Sequence, residues 1–409
     1  MNEPFADDAE TGGSPDRMRG SNQSGLRAHN ERAVLSLIRR NGVLAKADIA
    51  RRTGLSPQTA SVIMRELEKR ALVLRDAPRR GRVGQPSIPM RLNPDGAFSL
   101  GLKIGRRSVE LVLMDFVGAI RGRRRATYPW PKFAEITRFV GAAVGELQQS
   151  LDADGRSRIA GLGAAMPSAI WEWAEEAGAP DGAMDEWRGR DISAELAALT
   201  GYPVHLANDA TAACAAEHVF GTTGSGDYVY FFIGTFIGGG IVIDGDLVVG
   251  RNGNAGALGS MPVPGEPGAA VHRQLIHAAS IHLLERRMRA EGLNPRDLWR
   301  EDGQWPALGP LLDDWVETAA HGIAHAIVAA MSVYDFECAV IDGSIPLEVR
   351  DRVVAATQAK LAELRREGLS PIRVQPGTIG AGAREIGSAS LPFFARFLLD
   401  HRVLFTERG

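Results

Sequence analysis

The sequence predicts an α/β protein made of a small basic helical module and a larger acidic body. Three observations lead there. Two short helical patterns joined by Thr53-Gly54-Leu55 lie near the N-terminus. A body starting near Phe98 mixes strands and helices in an order that begins again near Tyr228. Charge divides at the same place: residues 26–91 hold 15 Lys/Arg against 5 Asp/Glu, although the 409-residue chain has a net charge of −2. A basic module on an acidic body confines the surface that attracts polyanions to one end.

Residues 1–25 are rich in Asp, Gly, Ser and Asn and contain no apolar run, so they read as a disordered tail without a signal peptide. In Lys46 to Val73, Asp48, Ile49 and Ala50 open a short helix, with a small residue where another helix must cross closely. Gly54 tolerates the left-handed turn and Leu55 plugs the core. Ser56-Pro57 supplies an N-cap and a first-turn proline for a second helix. Ala60, Ile63 and Leu67 recur at helical spacing and face inward. Gln58, Thr59, Ser61, Val62 and Arg65, together with Ser56, are left where a recognition helix meets base edges and phosphates.

Arg79-Arg80-Gly81-Arg82-Val83-Gly84-Gln85-Pro86 is basic, glycine-punctuated and set between the apolar runs 71–74 and 88–92. That pattern is the hairpin of a winged helix, and it puts Arg80, Arg82 and Gln85 at the DNA. Residues 26–92 are therefore expected to form a winged helix-turn-helix domain whose partner is a double-stranded DNA operator.

From Phe98, two strands joined by a tight turn lead through a Gly-containing hairpin to a third. Residues 134–151 form a helix, with Ile136, Phe139, Val140, Val144 and Leu147 at helical spacing. A strand at 159–167, a helix at 192–200, a strand at 203–209 and a helix at 210–220 follow. Tyr228 then begins another strand–turn–strand–turn–strand run. Such duplication marks a two-lobed, actin-like (ribonuclease H-like) fold around a cleft. The lobes are expected at 93–220 and 221–409, with the last helix returning to the first lobe.

Cys214 and Cys338 are the chain's cysteines. Two cannot make a disulfide framework or a Cys-rich zinc site, and they suit a reducing cytoplasm. No apolar run approaches the roughly 18–20 residues that span a bilayer, so no membrane partner is expected.

Read together with the winged helix, four segments resemble the ROK family of repressors and sugar kinases: MPSA (166–169), HLANDATAACAAEHVFG (205–221), FIGTFIGGGIVIDGDLVVGRNGNAGALGSM (232–261) and GTIGAGAREIGSASL (377–391). In that family the kinases lack the winged helix and the regulators carry it in front, so this chain resembles the regulators. The resemblance also shows what has changed. A kinase of the family has a Gly-Gly-Thr turn whose backbone cradles ATP phosphates; here the turn is Gly105-Arg106-Arg107-Ser108. The family's Glu-x-Gly-His segment matches Ala257-Leu258-Gly259-Ser260, and the three cysteines expected after it are absent. No zinc site and no cofactor are expected. The second glycine turn, 234–240, is kept; beyond Val340-Ile341, the family's Gly-Gly has become Asp342-Gly343-Ser344.

Asn208-Asp209 matches the family's Asn-Asp, and three roles fit it: binding sugar hydroxyls, helix capping, or, for Asp209, a phosphoryl-transfer base. Ligand binding is expected at Asn208, Asp209, Gly256, Ala257 and Ser260, with no catalytic residue. The implied protein is a ligand-responsive transcriptional repressor of carbohydrate genes, a homodimer or homotetramer with a small carbohydrate or related metabolite between its lobes. The alternatives are an ATP-dependent sugar kinase, or a ligand-independent regulator whose body only oligomerises.

Overall fold

The computed structural model describes residues 23–77, 88–174, 178–224, 226–265, 273–300, 303 and 305–399. The predicted tail lies outside them except for its last three residues, which begin helix α1 (Gln23–Asn41). Val34, Leu35 and Ile38 of α1 are buried. Helices α2 (Lys46–Thr53) and α3 (Pro57–Lys69) follow, joined through Gly54 at φ +68°. The Ser56 hydroxyl accepts from the Thr59 amide at 3.1 Å, an N-cap that contributes about 1 kcal/mol. Ala60, Ile63 and Leu67 are buried as their spacing requires, joined by Met64.

Strands β1 (Leu44–Ala45), β2 (Val73–Arg75) and β3 (Pro89–Leu92) make a small antiparallel sheet with β3 in the middle. The β2–β3 hairpin is the base of the wing. Its tip, with the predicted contacts Arg80, Arg82 and Gln85, lies outside the described residues.

The first body sheet has the order β6-β5-β4-β7-β8, from β4 (Phe98–Ile104), β5 (Ser108–Asp115), β6 (Ile120–Thr127), β7 (Ile159–Met166) and β8 (Val204–Asn208). The second begins with β9 (Tyr228–Ile233), β10 (Ile237–Ile243) and β11 (Asp246–Val248). A short ribbon, β12 (Pro262–Val263) with β13 (Arg273–Gln274), stands apart. The second sheet is completed by β14 (Cys338–Gly343) and β15 (Arg373–Pro376), in the order β11-β10-β9-β14-β15. Each sheet thus runs third-second-first-fourth-fifth in its own strands, antiparallel through the first three and parallel through the rest. The duplicated, actin-like α/β architecture follows from this repeat.

Every residue of β4, β5 and β7 is buried, as happens when a sheet is covered on both faces. One cover is α4 (Phe133–Gln149), whose Ile136, Val140, Val144 and Leu147 share one core with Leu100 and Leu111. The short helices α5 (Ala153–Ser157) and α6 (Ile192–Thr200) flank β7 and β8. Helix α7 (Asp209–Phe220) starts one residue earlier than its sequence pattern suggests, because Asn208 caps it and so ends β8.

In the second half, α8 (Ile276–Ala279), α9 (Ile281–Ala290), α10 (Pro310–Met331) and α11 (Leu347–Glu363) surround the sheet. The last helix, α12 (Ala383–Arg396), packs across β4, β7 and α7 of the first half. Glycine makes that approach feasible: a Cβ on Gly163 of β7 would lie 1.7 Å from the Ser388 carbonyl oxygen, and one on Gly387 would lie 1.8 Å from that of Ala212.

The winged helix is seated on this framework. Val34, Leu35 and Ile38 share one core with Phe116, Phe393, Phe394 and Phe397. Phe116 stands edge-on to Phe393 and Phe397, with ring centres 5.3 and 5.2 Å away. Arg32 donates to the Ala395 carbonyl at 3.3 Å, Leu399 N–H to the Ser36 hydroxyl at 3.0 Å, and the Arg39 guanidinium lies 4.3 Å from the Phe220 ring centre.

Candidate functional site

Two places have the chemistry to bind something: the exposed face of α3 and the cleft between the lobes. On α3, Gln58, Thr59 and Arg65 are exposed and Val62 is 44% exposed, forming one stripe with Ser61 half-buried at its edge. Ser56 and Thr59 share a 2.8 Å hydroxyl–hydroxyl bond, so their side chains hold the helix start together while remaining at the surface. An exposed apolar Val62 between polar neighbours suits a thymine methyl contact.

The cleft has a volume of about 1050 Å³ and is walled by both lobes. At its base the Lys103 ammonium lies 3.0 Å from Glu110 and 3.8 Å from Glu385, with the Ser108 hydroxyl at 3.1 Å. Burial acts to raise the Glu110 carboxyl, but the Lys103 charge and its hydrogen bonds prevail and bring it down to about 2. Burial lifts Glu385 above its ordinary range.

The turn between β4 and β5 faces the turn between β9 and β10 across the cleft. Arg106 of the first stacks on Phe236 of the second, 3.7 Å from the ring centre. Its neighbour Arg107 makes a two-pronged pair with Glu285 of α9, at 2.7 and 2.6 Å. Glu285 is fully buried and also accepts from Trp299 Nε1 at 2.6 Å. In a nucleotide-cradling arrangement these turns would offer bare backbone amides to phosphate. Here an arginine and a phenylalanine occupy the gap.

The predicted ligand residues sit elsewhere: Asn208, Asp209, Gly256, Ala257 and Ser260 are not in the wall of this cleft. Asn208 is the N-cap of α7, accepting from the Ala210 amide at 3.0 Å and the Thr211 amide at 3.4 Å while donating to the Ser168 hydroxyl at 3.0 Å. Of the three roles the sequence left open, capping is therefore present. Asp209 lies 3.5 Å from Arg384 of the cleft wall; the same arginine donates to the Ser344 hydroxyl at 3.2 Å.

Gly256 is needed for close packing, since a Cβ there would lie 2.6 Å from Gly240 Cα. A Cβ on Gly238 or Gly240 would meet α7 at Ala210 or Cys214, whereas one on Gly239, between them, would meet Leu258. The 256–260 turn and α7 thus pack on opposite faces of β10. Ala257 and Ser260 are exposed. No group of three or more His, Cys, Asp or Glu with metal-binding geometry is found among the described residues, so the side chains present there do not fit a zinc centre.

Beyond Arg106 and Arg107, sequence reasoning missed the arginines of the cleft. Arg123 and Arg125 come from the Arg-Gly-Arg-Arg-Arg run of β6, and Arg289, Arg296 and Arg300 from the segment around and after α9. An available signal was the basic run on a strand whose alternating exposure marks a sheet edge. Nothing local pointed to its partners across the cleft.

Comparison with known proteins agrees with this architecture. The model of the ROK family matches residues 99–391, and that of a winged helix-turn-helix DNA-binding domain matches residues 27–70. The chain is 27% identical to the uncharacterized protein y4fQ of Sinorhizobium fredii, over 90% of this chain and 91% of that one. It is 23% identical to the xylose repressor of Bacillus subtilis, over 59% of this chain and 62% of the repressor's own length. Among solved structures, a ROK family transcriptional regulator, described as a homolog of the E. coli MLC protein, superposes with a TM-score of 0.66 at 20% identity, covering 92% of this chain and 98% of the other. At such identity the likeness concerns the fold. With the family model spanning most of the chain and a winged helix-turn-helix ahead of it, the protein belongs to the ROK family.

Proposed function

We propose that the protein is a sugar-responsive, DNA-binding transcriptional repressor whose ROK body is a sensor rather than an enzyme. The observation that carries the reading is helix α12. Arg384 and Glu385 at its start line the inter-lobe cleft, and Phe393, Phe394 and Phe397 at its end share a core with α1 of the winged helix. One helix therefore has the cleft at one end and the DNA-binding module at the other. A ligand that favours one arrangement of the lobes acts on the winged helix through that packing, by as much as its affinity differs between the two states.

Several further features support the reading. The xylose repressors among the relatives point to a carbohydrate or a related metabolite as effector. Arg106 stacked on Phe236 occupies the space where nucleotide phosphates would need backbone amides. No helix among the described residues is long and apolar enough to cross a membrane, and a cytoplasmic location suits contact with DNA. Two-fold operators need two-fold protein, so a homodimer or homotetramer is part of the proposal. Asn208 and Asp209 remain candidates for hydroxyl contacts, with Asn208 already engaged as a cap.

A panel of sugars with ATP and magnesium, followed by a coupled assay for released ADP, tests the sensor assignment. No turnover above buffer is expected. Phosphorylation that disappears in Asp209→Asn would replace this reading with that of a sugar kinase.

A further inference from the structure

The inter-lobe cleft is strongly cationic. Nine of its lining side chains are Lys or Arg and two are Glu. Nearby carboxylates answer part of this excess. Glu110 serves both Lys103 and, at 3.6 Å, Arg125. Glu285, just behind the wall, serves Arg107 and, at 3.5 Å, Arg289. Asp209 serves Arg384, whose buried Nε has no hydrogen-bond acceptor among the described residues. Arg123, on the first lobe, and Arg296, on the second, make no ion pair among the described residues.

A concave surface with an excess of one charge, and protein walls of low dielectric, concentrates the opposite charge. Arginines do so with selectivity, because the planar guanidinium presents paired N–H donors that match two oxygens of a phosphoryl or carboxylate group. A neutral sugar would leave that excess uncompensated in the cleft. The cations without an ion pair thus come from both lobes, so the cleft offers an anion partners on each side.

We propose that this cleft binds a small organic anion carrying at least two negative charges, a phosphate ester or a polycarboxylate, held by arginine side chains from both lobes. The inference rests on the reading of the body as a sensor and gives the chemical class of its effector. The anion is gripped by side chains, since Arg106 and Phe236 fill the space between the glycine turns.

Isothermal titration calorimetry of the full chain tests it, with glucose 6-phosphate, citrate, inorganic phosphate, free glucose and magnesium ATP as probes. At least one of glucose 6-phosphate and citrate should bind ten or more times tighter than glucose, and the preferred probe identifies the source of the anion. The double variant Arg123→Gln/Arg296→Gln should weaken that probe at least tenfold while melting, without ligand, within about two degrees of the parent. Arg123→Lys should lose less than Arg123→Gln. Glucose binding as tightly as its phosphate ester, an anion signal unchanged in the double variant, no binding by any organic anion, or binding confined to magnesium ATP would each overturn the anion site. Operator DNA release tested with the same probes separates the two claims: an anion that binds in the cleft without moving DNA affinity keeps the site and removes the sensor reading.

Discussion

Arg107 and Glu285 join the two lobes through a pair of hydrogen bonds of 2.7 and 2.6 Å, with the carboxylate fully buried and the guanidinium 30% exposed. The pair spans the turn after β4 in one lobe and α9 in the other. It ties the two lobes together at the edge of the cleft.

Truncating Arg107 leaves Glu285 buried with only Trp299 and the longer Arg289 contact. Arg107→Ala should destabilise the body by about 2–3 kcal/mol, as expected for loss of a charge-assisted bond beside a buried carboxylate. Differential scanning calorimetry of both proteins measures it. An unchanged melting profile would mean that the pair does not hold the lobes.

On the DNA surface, Arg65→Ala and Gln58→Ala should each weaken operator binding by about tenfold, or ~1.4 kcal/mol. Ala60→Ser, on the buried face of α3, should act through stability instead. Fluorescence anisotropy at fixed ionic strength, paired with melting curves, separates the two effects. Equal losses for exposed and buried substitutions would contradict the assigned orientation of α3.

Coupling through α12 gives a third expectation. Phe397→Leu keeps an apolar side chain but removes the edge-on contact with Phe116. The variant should still bind DNA and still bind effector, while the effector's influence on DNA affinity falls by a factor of about three or more. Linkage requires the same factor when DNA is the variable and effector affinity is read. Full coupling in the variant would place the route elsewhere.

The seat of the winged helix carries a pH dependence. Burial, and after it the charge of Arg40, lowers the His218 imidazole from 6.5 to about 4. Because the folded value is depressed, the unfolded chain takes up the proton first as pH falls. His218 therefore leaves stability intact above about 6.5 and diminishes it progressively toward pH 4. Protonation also places two cations together where α1 meets α7. His218→Gln should flatten the stability curve between pH 6.5 and 4, measured by urea titrations, while Glu110, held near 2, continues to lose its contribution below about 4.5. A parent curve already flat through that window would remove His218 from this role.

Much of the fold was legible because its signals are local. Gly54, Ser56 and Pro57 specify the helix-turn-helix within a few residues, and the β4–β5 and β9–β10 turns announce the duplicated lobes. Helix α1 was not read, since Val34, Leu35 and Ile38 find their partners in Phe393 and Phe397, hundreds of positions later. The cleft was hidden for the same reason. Arg123 and Arg296 acquire meaning only when the lobes face one another. Asn208 and Asp209 stood out as a motif, yet one is engaged in a cap and the other is paired with Arg384.

In the proposed scheme, DNA binding by the winged helix is controlled from the cleft. Titration of the full chain on double-stranded DNA from the region upstream of its own gene, across a salt series and with the calorimetrically chosen effector present or absent, tests it most directly. Log affinity should fall linearly with log salt, and effector should lower affinity at least tenfold at constant ionic strength. Binding indifferent to salt, or identical with and without an effector known to occupy the cleft, would contradict it.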